Sequence, residues 1–341
     1  MKSVYVVFPE PDRVEVREET LTPPGPGEVL CEAQKSLISI GTETYCLRGL
    51  FDPGTNWGEW VQFPFRPGYS MAARVAAVGE GVTGLKEGDR VAGWIVHQQY
   101  FKAAPDQLYP IPEGVSDEAG TWNCLAVTTQ LGVRRGAHTL GENVGVVGLG
   151  MLGQLVVQYL RLTGARRIIA IDPAQGRLDK ARTHGATHTL ALDVRQARQP
   201  IEEITDGRLL DAVYDITGHP AVLASCIPLV RKLGRVVLLG DTPNPTQQCL
   251  GPGVVSDSIA ILGIHGSMTP QYASEFNPWT RRAVVSLFFD YLLQERMRVD
   301  DLVSHRYSPQ EAPEVYNQLR DNRAGFMGVI FDWTRLPGRG V

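Results

Sequence analysis

The stretch that decides the fold is "NVGVVGLGMLGQLVVQYLRLTGARRIIAIDP", from Asn143 to Pro173. A short apolar run leads into Gly148, Gly150 and Gly153, spaced G-x-G-x-x-G, and apolar residues at helical spacing follow. In such a motif one glycine makes the tight turn, one lets the backbone approach a pyrophosphate, and one lets the helix pack closely on the strand. The stretch therefore predicts a strand, turn and helix that bind a dinucleotide, with the phosphates at the helix N-terminus.

The next apolar run, "RIIAI", ends at an acidic residue that fits the same motif. Asp172 follows Gly153 by 172 − 153 = 19 residues, near the ~20 expected for the acid that binds the ribose. Its carboxylate would accept a hydrogen bond from a ribose 2′-hydroxyl and repel a 2′-phosphate, which favours NAD over NADP. Arg177 could reach either a ribose or a phosphate, so NADP remains the alternative cofactor.

Composition and charge exclude several classes of protein. A chain of 341 residues predicts two domains, because one hydrophobic core seldom grows to that size. The net charge of −4, without a run of like charges, argues against nucleic acid or an anionic membrane as a partner. The five scattered cysteines argue against a disulfide framework, and no segment is an apolar run of membrane length. We expect a cytoplasmic protein with a small-molecule substrate.

The rhythm of the sequence changes along the chain. Residues 1 to about 113 carry short apolar runs such as "VYVVF", "EVLCEA" and "MAARVAAV" between Pro/Gly turns, which is typical of β-structure. From Asn143 onward, "VGVV", "RIIAI", "DAVYD", "GRVVLLG" and "IAILGI" alternate with stretches of helical spacing, as in a parallel sheet with crossover helices. Residues 278–296 predict a helix, and "RAGFMGVIFDW" predicts a last strand. The fold class is therefore α/β, with a β-rich unit interrupted by an α/β unit.

These features together resemble the medium-chain dehydrogenase/reductase superfamily, the alcohol dehydrogenase-like proteins. Besides the glycine motif, the similarity rests on "GVTGLKEGDRV", "DITGHP", "GRVVLLGDTP", "ILGIHGS" and "HRYSPQEAPEVYNQLRDNRAGFMGVIFDW", in that order. It implies a Rossmann dinucleotide-binding domain inserted in a GroES-like, β-rich partial-barrel catalytic domain. We expect the catalytic domain at 1–124 and 273–341, the Rossmann NAD(P)-binding domain at 125–272, and a homodimer or homotetramer.

The resemblance and the motif together predict the cofactor contacts, which lie in the glycine motif and after successive strands. These residues are Gly148, Gly150, Met151, Leu152, Gly153, Asp172, Arg177, Thr217, Leu239, Gly240, Asp241, His265 and Gly266. For His265 the resemblance implies a contact through the main chain rather than catalysis by the imidazole.

The motifs that bind zinc in many members of the superfamily are altered here. A Cys-Gly-Thr/Ser-Asp motif is replaced by "IGTE", Ile40 to Glu43, and a Gly-His-Glu motif by "GYS", Gly68 to Ser70. Only Cys124 matches a possible third ligand, and the four-cysteine lobe of a structural zinc is missing. Catalytic zinc needs about three protein ligands, so we expect no metal. The "GTE…PGY" pattern is also similar to a branch that includes the hydroxyethyl bacteriochlorophyllide dehydrogenase.

Without zinc, a side chain must polarise the substrate oxygen while the nicotinamide carries the hydride. By resemblance, Thr42 occupies the position of a relay hydroxyl and Tyr45 that of a relay histidine. Tyr69 would lie near them and donate its hydrogen bond to Glu43. Tyr69 is either an acid in the reaction or an aromatic ring that fills the vacated metal site. A phenol has a pKa of about 10, so it can act as an acid at neutral pH only if its surroundings assist the proton transfer.

Three further residues are candidates for the substrate pocket. Trp57 and Trp94 lie in loops and would line the pocket, form a packed lid or contact another subunit. Cys124 is favoured as a small buried residue over a nucleophile, because nothing in the sequence lowers its pKa.

The sequence thus predicts a zinc-independent NAD(P)-dependent oxidoreductase that interconverts a ketone and a secondary alcohol. One alternative is an NADPH-dependent quinone or enoyl reductase that reduces a C=C bond, against which Asp172 argues. The other is a nucleotide-binding protein without catalysis, against which the retained pair Thr42 and Tyr45 argues.

Overall fold

The computed structural model describes residues 1–336, so residues 337–341 of the predicted catalytic domain lie outside the described residues. The chain forms two compact units. Unit 1 consists of Met1–Cys124 and the chain from Val285 onward, and unit 2 consists of Leu125–Val284.

The strands of both units are short, as is usual for globular proteins. In chain order they are β1 Lys2–Val7, β2 Glu15–Thr20, β3 Val29–Ile38, β4 Met71–Val78, β5 Arg90–Gly93, β6 Tyr100–Ala103, β7 Leu108–Pro110, β8 Asn143–Val147, β9 Arg167–Ile171, β10 His188–Leu190, β11 Leu210–Asp215, β12 Val230–Leu238, β13 Ala260–Gly263, β14 Val303–Tyr307 and β15 Gly328–Asp332.

The α-helices connect these strands. In chain order they are α1 Ile40–Arg48, α2 Asn56–Trp60, α3 Asp117–Gly120, α4 Asn123–Arg135, α5 Met151–Leu162, α6 Gln175–His184, α7 Arg198–Ile204, α8 Val222–Cys226, α9 Arg281–Leu293 and α10 Ala312–Asp321. Within the part of the chain that is described, none of them is long and apolar enough to span a bilayer.

Unit 2 is built on a parallel sheet in the order β10-β9-β8-β11-β12-β13. The structure confirms the five strands that the apolar runs predict. It adds β10, which the sequence analysis missed because its three residues include a single large apolar side chain. Val147 pairs with Ile171 on one side and Asp215 on the other, so β8, β9 and β11 end at one edge. The chain order reverses between β8 and β11, and such a switch point is where open α/β sheets bind ligands.

Unit 1 is built on a sheet in the order β14-β15-β3-β4-β5-β7, with β6 also paired to β3. The last strand, β15, runs antiparallel to β3 and places Phe331 opposite Ser36. Both ends of the chain therefore contribute to one sheet. The structure confirms the predicted interruption of a β-rich unit by an α/β unit.

Residues 273–284, which the sequence analysis assigned to the catalytic domain, lie in unit 2. The guanidinium group of Arg281 donates hydrogen bonds to the carbonyls of Thr269 and Ser267, at 3.2 and 3.1 Å. The guanidinium carbon of Arg134 lies 3.4 Å from the ring centroid of Trp279. These polar and cation–π contacts hold the segment on the Rossmann unit.

Candidate active site

The glycine turn after β8 has the shape that a pyrophosphate requires. Gly148 has φ +92°, in the left-handed region, and a Cβ on Gly153 would lie 2.1 Å from the Gly148 carbonyl oxygen. A Cβ on Gly150 would meet no atom within 4 Å. This open space lies at the N-terminus of α5, just before Met151 and Leu152. The backbone N–H groups in the first turn of a helix have no hydrogen-bond partner within that helix. The turn therefore fits a bound phosphate.

Asp172 is buried immediately after β9 and is bonded to the same turn. One carboxylate oxygen accepts the N–H of Leu149 and the other accepts the N–H of Ala174, each at 2.8 Å. The guanidinium group of Arg177 lies 3.8 Å from the carboxylate. Because a carboxylate oxygen can accept more than one hydrogen bond, Asp172 can hold the turn and still bind a ribose hydroxyl.

The other predicted cofactor residues follow the later strands of the same sheet. Thr217 follows β11, and its N–H and hydroxyl both donate to one carboxylate oxygen of Asp215, at 3.0 and 2.7 Å. The exposed imidazole of His265 is hydrogen-bonded to the hydroxyl of Ser267 at 2.6 Å. The structure places the remaining predicted residues at the same edge of the sheet: Leu239, Gly240 and Asp241 after β12, and Gly266 after β13.

In unit 1, α1 carries three of the four predicted catalytic residues, Thr42, Glu43 and Tyr45. Thr42 and Tyr45 are half-buried and lie three positions apart, which places them on one face of the helix. The ring of Tyr45 packs edge-on against Trp57, with centroids 5.9 Å apart. The indole N–H of the buried Trp57 has no hydrogen-bond partner within residues 1–336, so an aromatic wall with one free donor adjoins Tyr45.

Tyr69 belongs to a chain of three hydroxyl groups. Its hydroxyl donates to Ser39 Oγ at 2.5 Å, and Ser39 Oγ donates to Thr42 Oγ1 at 3.3 Å. Burial raises the pKa of Tyr69 well above its usual value, although the Ser39 and Thr42 hydroxyls oppose this. The predicted hydrogen bond from Tyr69 to Glu43 is wrong. Sequence reasoning missed Ser39, because a serine before a helix most often indicates a cap.

Glu43 is instead the centre of a buried network. One carboxylate oxygen accepts the N–H of Ser39 at 2.7 Å, and the other accepts hydrogen bonds from His97 Nε2, at 3.0 Å, and from the hydroxyl of Tyr316. Only 1% of Glu43 is exposed. Its carboxylate is therefore an acceptor within the fold, without the contact to Tyr69 on which its predicted catalytic role rested.

The network extends from His97 to Ser36 in β3 and to Trp333, which follows β15. Ser36 Oγ donates to His97 Nδ1 at 2.7 Å, and Trp333 Nε1 donates to Ser36 Oγ at 2.9 Å. Every donor then has an acceptor when His97 carries its proton on Nε2, a tautomer inferred from the network. Such satisfied buried networks hold one arrangement of the core.

The other two predicted substrate residues lie beside Tyr69. The ring centroid of Trp94 is 6.4 Å from that of Tyr69. The buried thiol of Cys124 donates to the Tyr69 carbonyl at 2.8 Å and lies 3.1 Å from Asn123 Oδ1. Among the described residues, no three His, Cys, Asp or Glu side chains come together as a possible metal site.

Comparisons with known families match both units. Residues 25–157 match the family described as alcohol dehydrogenase GroES-like domain, and residues 152–281 match the zinc-binding dehydrogenase family. A dinucleotide-binding Rossmann unit together with a GroES-like unit defines an oxidoreductase of the alcohol dehydrogenase type. The chain belongs to the medium-chain dehydrogenase/reductase superfamily, whose enzymes use NAD(P).

Two curated relatives illustrate the similarity in sequence. The L-threonine 3-dehydrogenase of Bacillus licheniformis is 24% identical over 81% of this chain and 86% of its own length. The sorbitol dehydrogenase of Bacillus subtilis is 29% identical over 60% of this chain and 67% of its own length.

Three solved structures share the fold, each over 97% of this chain and 99% of its own. An Escherichia coli oxidoreductase of unknown specificity has a TM-score of 0.82 at 17% identity. An Escherichia coli protein described as a short chain alcohol dehydrogenase, in complex with NADH, has a TM-score of 0.80 at 18% identity. A Sinorhizobium meliloti dehydrogenase bound to NADP has a TM-score of 0.79 at 21% identity.

The glycine turn gives the first prediction. Gly150→Ala should leave the melting temperature unchanged, because the new methyl group meets no protein atom. It should weaken NADH binding by roughly tenfold, since overpacking typically costs about 1–3 kcal/mol. Fluorescence titration measures the affinity, and Gly325→Ala, whose methyl group also meets no atom, is the matched control. Unchanged NADH affinity in Gly150→Ala would contradict this placement of the phosphates.

The Glu43 network gives the second prediction. Glu43→Gln should lower the free energy of unfolding by about 1–3 kcal/mol or more, because the amide offers one acceptor oxygen in place of two and turns its NH₂ group toward a buried donor. Tyr316→Phe should cost about 1–3 kcal/mol, because it removes one hydrogen bond to that acceptor. Denaturant unfolding measures both, with the exposed Tyr272→Phe as control. Glu43→Gln with wild-type stability would rule out this role for the carboxylate.

Proposed function

We propose that this protein is a zinc-independent NAD(P)-dependent oxidoreductase that interconverts a ketone and a secondary alcohol of moderate size. The observation that carries the proposal is the hydroxyl chain from Tyr69 through Ser39 to Thr42. Tyr69 and Thr42, at the two ends of this chain, are both half-buried. A hydroxyl held in this way can donate a hydrogen bond to the oxygen of a carbonyl group.

The roles of the remaining residues follow from this assignment. A bound dinucleotide would supply the hydride for reduction of the ketone and accept it in oxidation of the alcohol. The glycine turn holds its pyrophosphate and Asp172 holds its adenine ribose. Thr42 binds the substrate oxygen, and Tyr45 with Trp57 forms an apolar wall for the carbon skeleton.

The proposed independence of zinc rests on the side chains available in unit 1. Ile40 and Tyr69 occupy the positions at which the resemblance places zinc ligands. The thiol of Cys124 is already bonded to the Tyr69 carbonyl. Three protein ligands are needed for a catalytic zinc, so we assign the polarising role to hydroxyl groups.

The preferred cofactor is NAD. Asp172 is buried and fixed by two backbone N–H groups, so a 2′-phosphate beside it would meet an immobile negative charge. Arg177, at 3.8 Å, partly offsets this repulsion, which leaves NADP as a weaker ligand. The cytoplasmic location and the homodimer or homotetramer remain predictions.

The third prediction tests the reaction itself. The purified protein should oxidise secondary alcohols, including polyols and amino alcohols, and reduce the matching ketones, with chelators leaving the rates unchanged. Thr42→Val should lower turnover by roughly 10²-fold or more, as for a lost general acid. A spectrophotometric screen against alcohols, ketones, quinones and enones measures this.

Activity confined to quinones or enones would favour the alternative of C=C reduction. Dinucleotide binding without turnover on any substrate would favour the alternative of a binding protein. One tightly bound zinc ion per chain in elemental analysis would overturn the proposed independence of zinc.

The fourth prediction concerns cofactor choice. The wild-type protein should bind NADH more tightly than NADPH, and Asp172→Ser should narrow or reverse the preference because it removes the negative charge beside the ribose. Titration with both cofactors measures the ratio of dissociation constants. Asp172→Asn keeps the shape without the charge and is the matched variant. Equal affinities in the wild-type protein would count against the assignment.

A further inference from the structure

Ser39 occupies the residue before α1, where a serine side chain usually caps the helix. Its hydroxyl makes no capping hydrogen bond. Two other serines of unit 1 do act as caps: Ser116 caps α3 by accepting the N–H of Ala119 at 3.0 Å, and Ser308 caps the short 3-10 helix Pro309–Glu311 by accepting the N–H of Gln310 at 3.4 Å. A cap typically contributes about 1 kcal/mol. Ser39 forgoes this stabilisation and bonds to side chains instead.

The main chain of Ser39 is held from the other side. Its N–H donates to Glu43 at 2.7 Å, and the same carboxylate accepts hydrogen bonds from His97 and Tyr316. The side chain is thereby free to turn toward Tyr69 and Thr42 while the backbone stays fixed. Ser39 is 8% exposed, so water cannot readily replace either of its side-chain partners.

Each hydroxyl group has one proton to donate, and the direction of the hydroxyl chain is assigned from the positions of the oxygen atoms. The proton of Tyr69 points to Ser39, and the proton of Ser39 points to Thr42. Burial raises the pKa of Tyr69, so the phenol keeps its proton and can donate it to Ser39. The proton of Thr42 is then the one available to the oxygen of a bound substrate.

We propose that Ser39 is a positioning residue that orients the Thr42 hydroxyl toward the substrate, and that Tyr69 fixes Ser39 by donating a hydrogen bond to its hydroxyl. The inference rests on the proposed function, since it needs a substrate oxygen at Thr42. It assigns Tyr69 to orientation rather than to proton donation in the reaction.

The fifth prediction tests this role with Ser39→Ala. Its kcat should fall roughly tenfold or more, because misplacing a reacting group by about 1 Å can cost 10²-fold, while KM changes little. The solvent deuterium isotope effect on kcat should rise, since proton transfer becomes slower. The matched control is Ser116→Ala, which loses a real cap. It should lower the melting temperature while kcat and the isotope effect stay at wild-type values.

A double-mutant cycle separates positioning from stability. Ser39→Ala removes the acceptor that lies 2.5 Å from the Tyr69 hydroxyl, and Tyr69→Phe removes that hydroxyl, so Ser39→Ala/Tyr69→Phe should recover stability. Its kcat should stay as low as that of Ser39→Ala, because residues that act as one unit are non-additive. Recovery of kcat together with stability would show that Ser39 is only structural.

The remaining outcomes are also distinguishable. A wild-type protein without turnover would overturn the proposed function, and the inference about Ser39 with it. An active wild-type protein whose Ser39→Ala variant keeps kcat within twofold would overturn the inference about Ser39 alone.

Discussion

The carboxylate of Glu43 is the interaction on which the geometry of unit 1 depends. It accepts hydrogen bonds from the N–H of Ser39 before α1, from His97 between β5 and β6, and from Tyr316 in α10. A buried carboxylate is costly unless its acceptor positions are filled, so these segments are fixed relative to one another. Ser39 and Thr42 gain a defined position because α1 begins at this carboxylate.

Unit 2 uses the same physical device. Asp172 is buried and accepts the N–H of Leu149 in the turn before α5, as Glu43 accepts the N–H of Ser39 before α1. A negative charge near a helix N-terminus is favourable because the first N–H groups carry partial positive charge. In unit 2 the carboxylate fixes the turn that fits a pyrophosphate, and in unit 1 it fixes the first residue of a hydroxyl chain.

The local features of both units could be predicted from the sequence, and the long-range ones could not. The glycine spacing and the interval to Asp172 predict the dinucleotide turn because all of its residues are close in sequence. The network of Glu43, His97 and Tyr316 joins residues far apart in the chain, which no spacing reveals. The predicted Tyr69 to Glu43 contact was wrong for this reason. Ser39 was missed because the sequence pattern is the same whether the serine before a helix caps that helix or bonds to other side chains.

Hydroxyl groups differ from a metal ion in how their polarising power responds to pH. A zinc-bound water ionises near neutral pH, whereas serine and threonine hydroxyls do not titrate in the range where proteins are stable. Tyr69 is half-buried, and loss of solvent around its phenol raises its pKa above the usual value, so it remains protonated at every pH in that range. The hydroxyl chain therefore keeps one protonation state. Any pH dependence of the reaction must then arise from the proton that the reaction itself consumes or releases, or from groups outside Tyr69, Ser39 and Thr42.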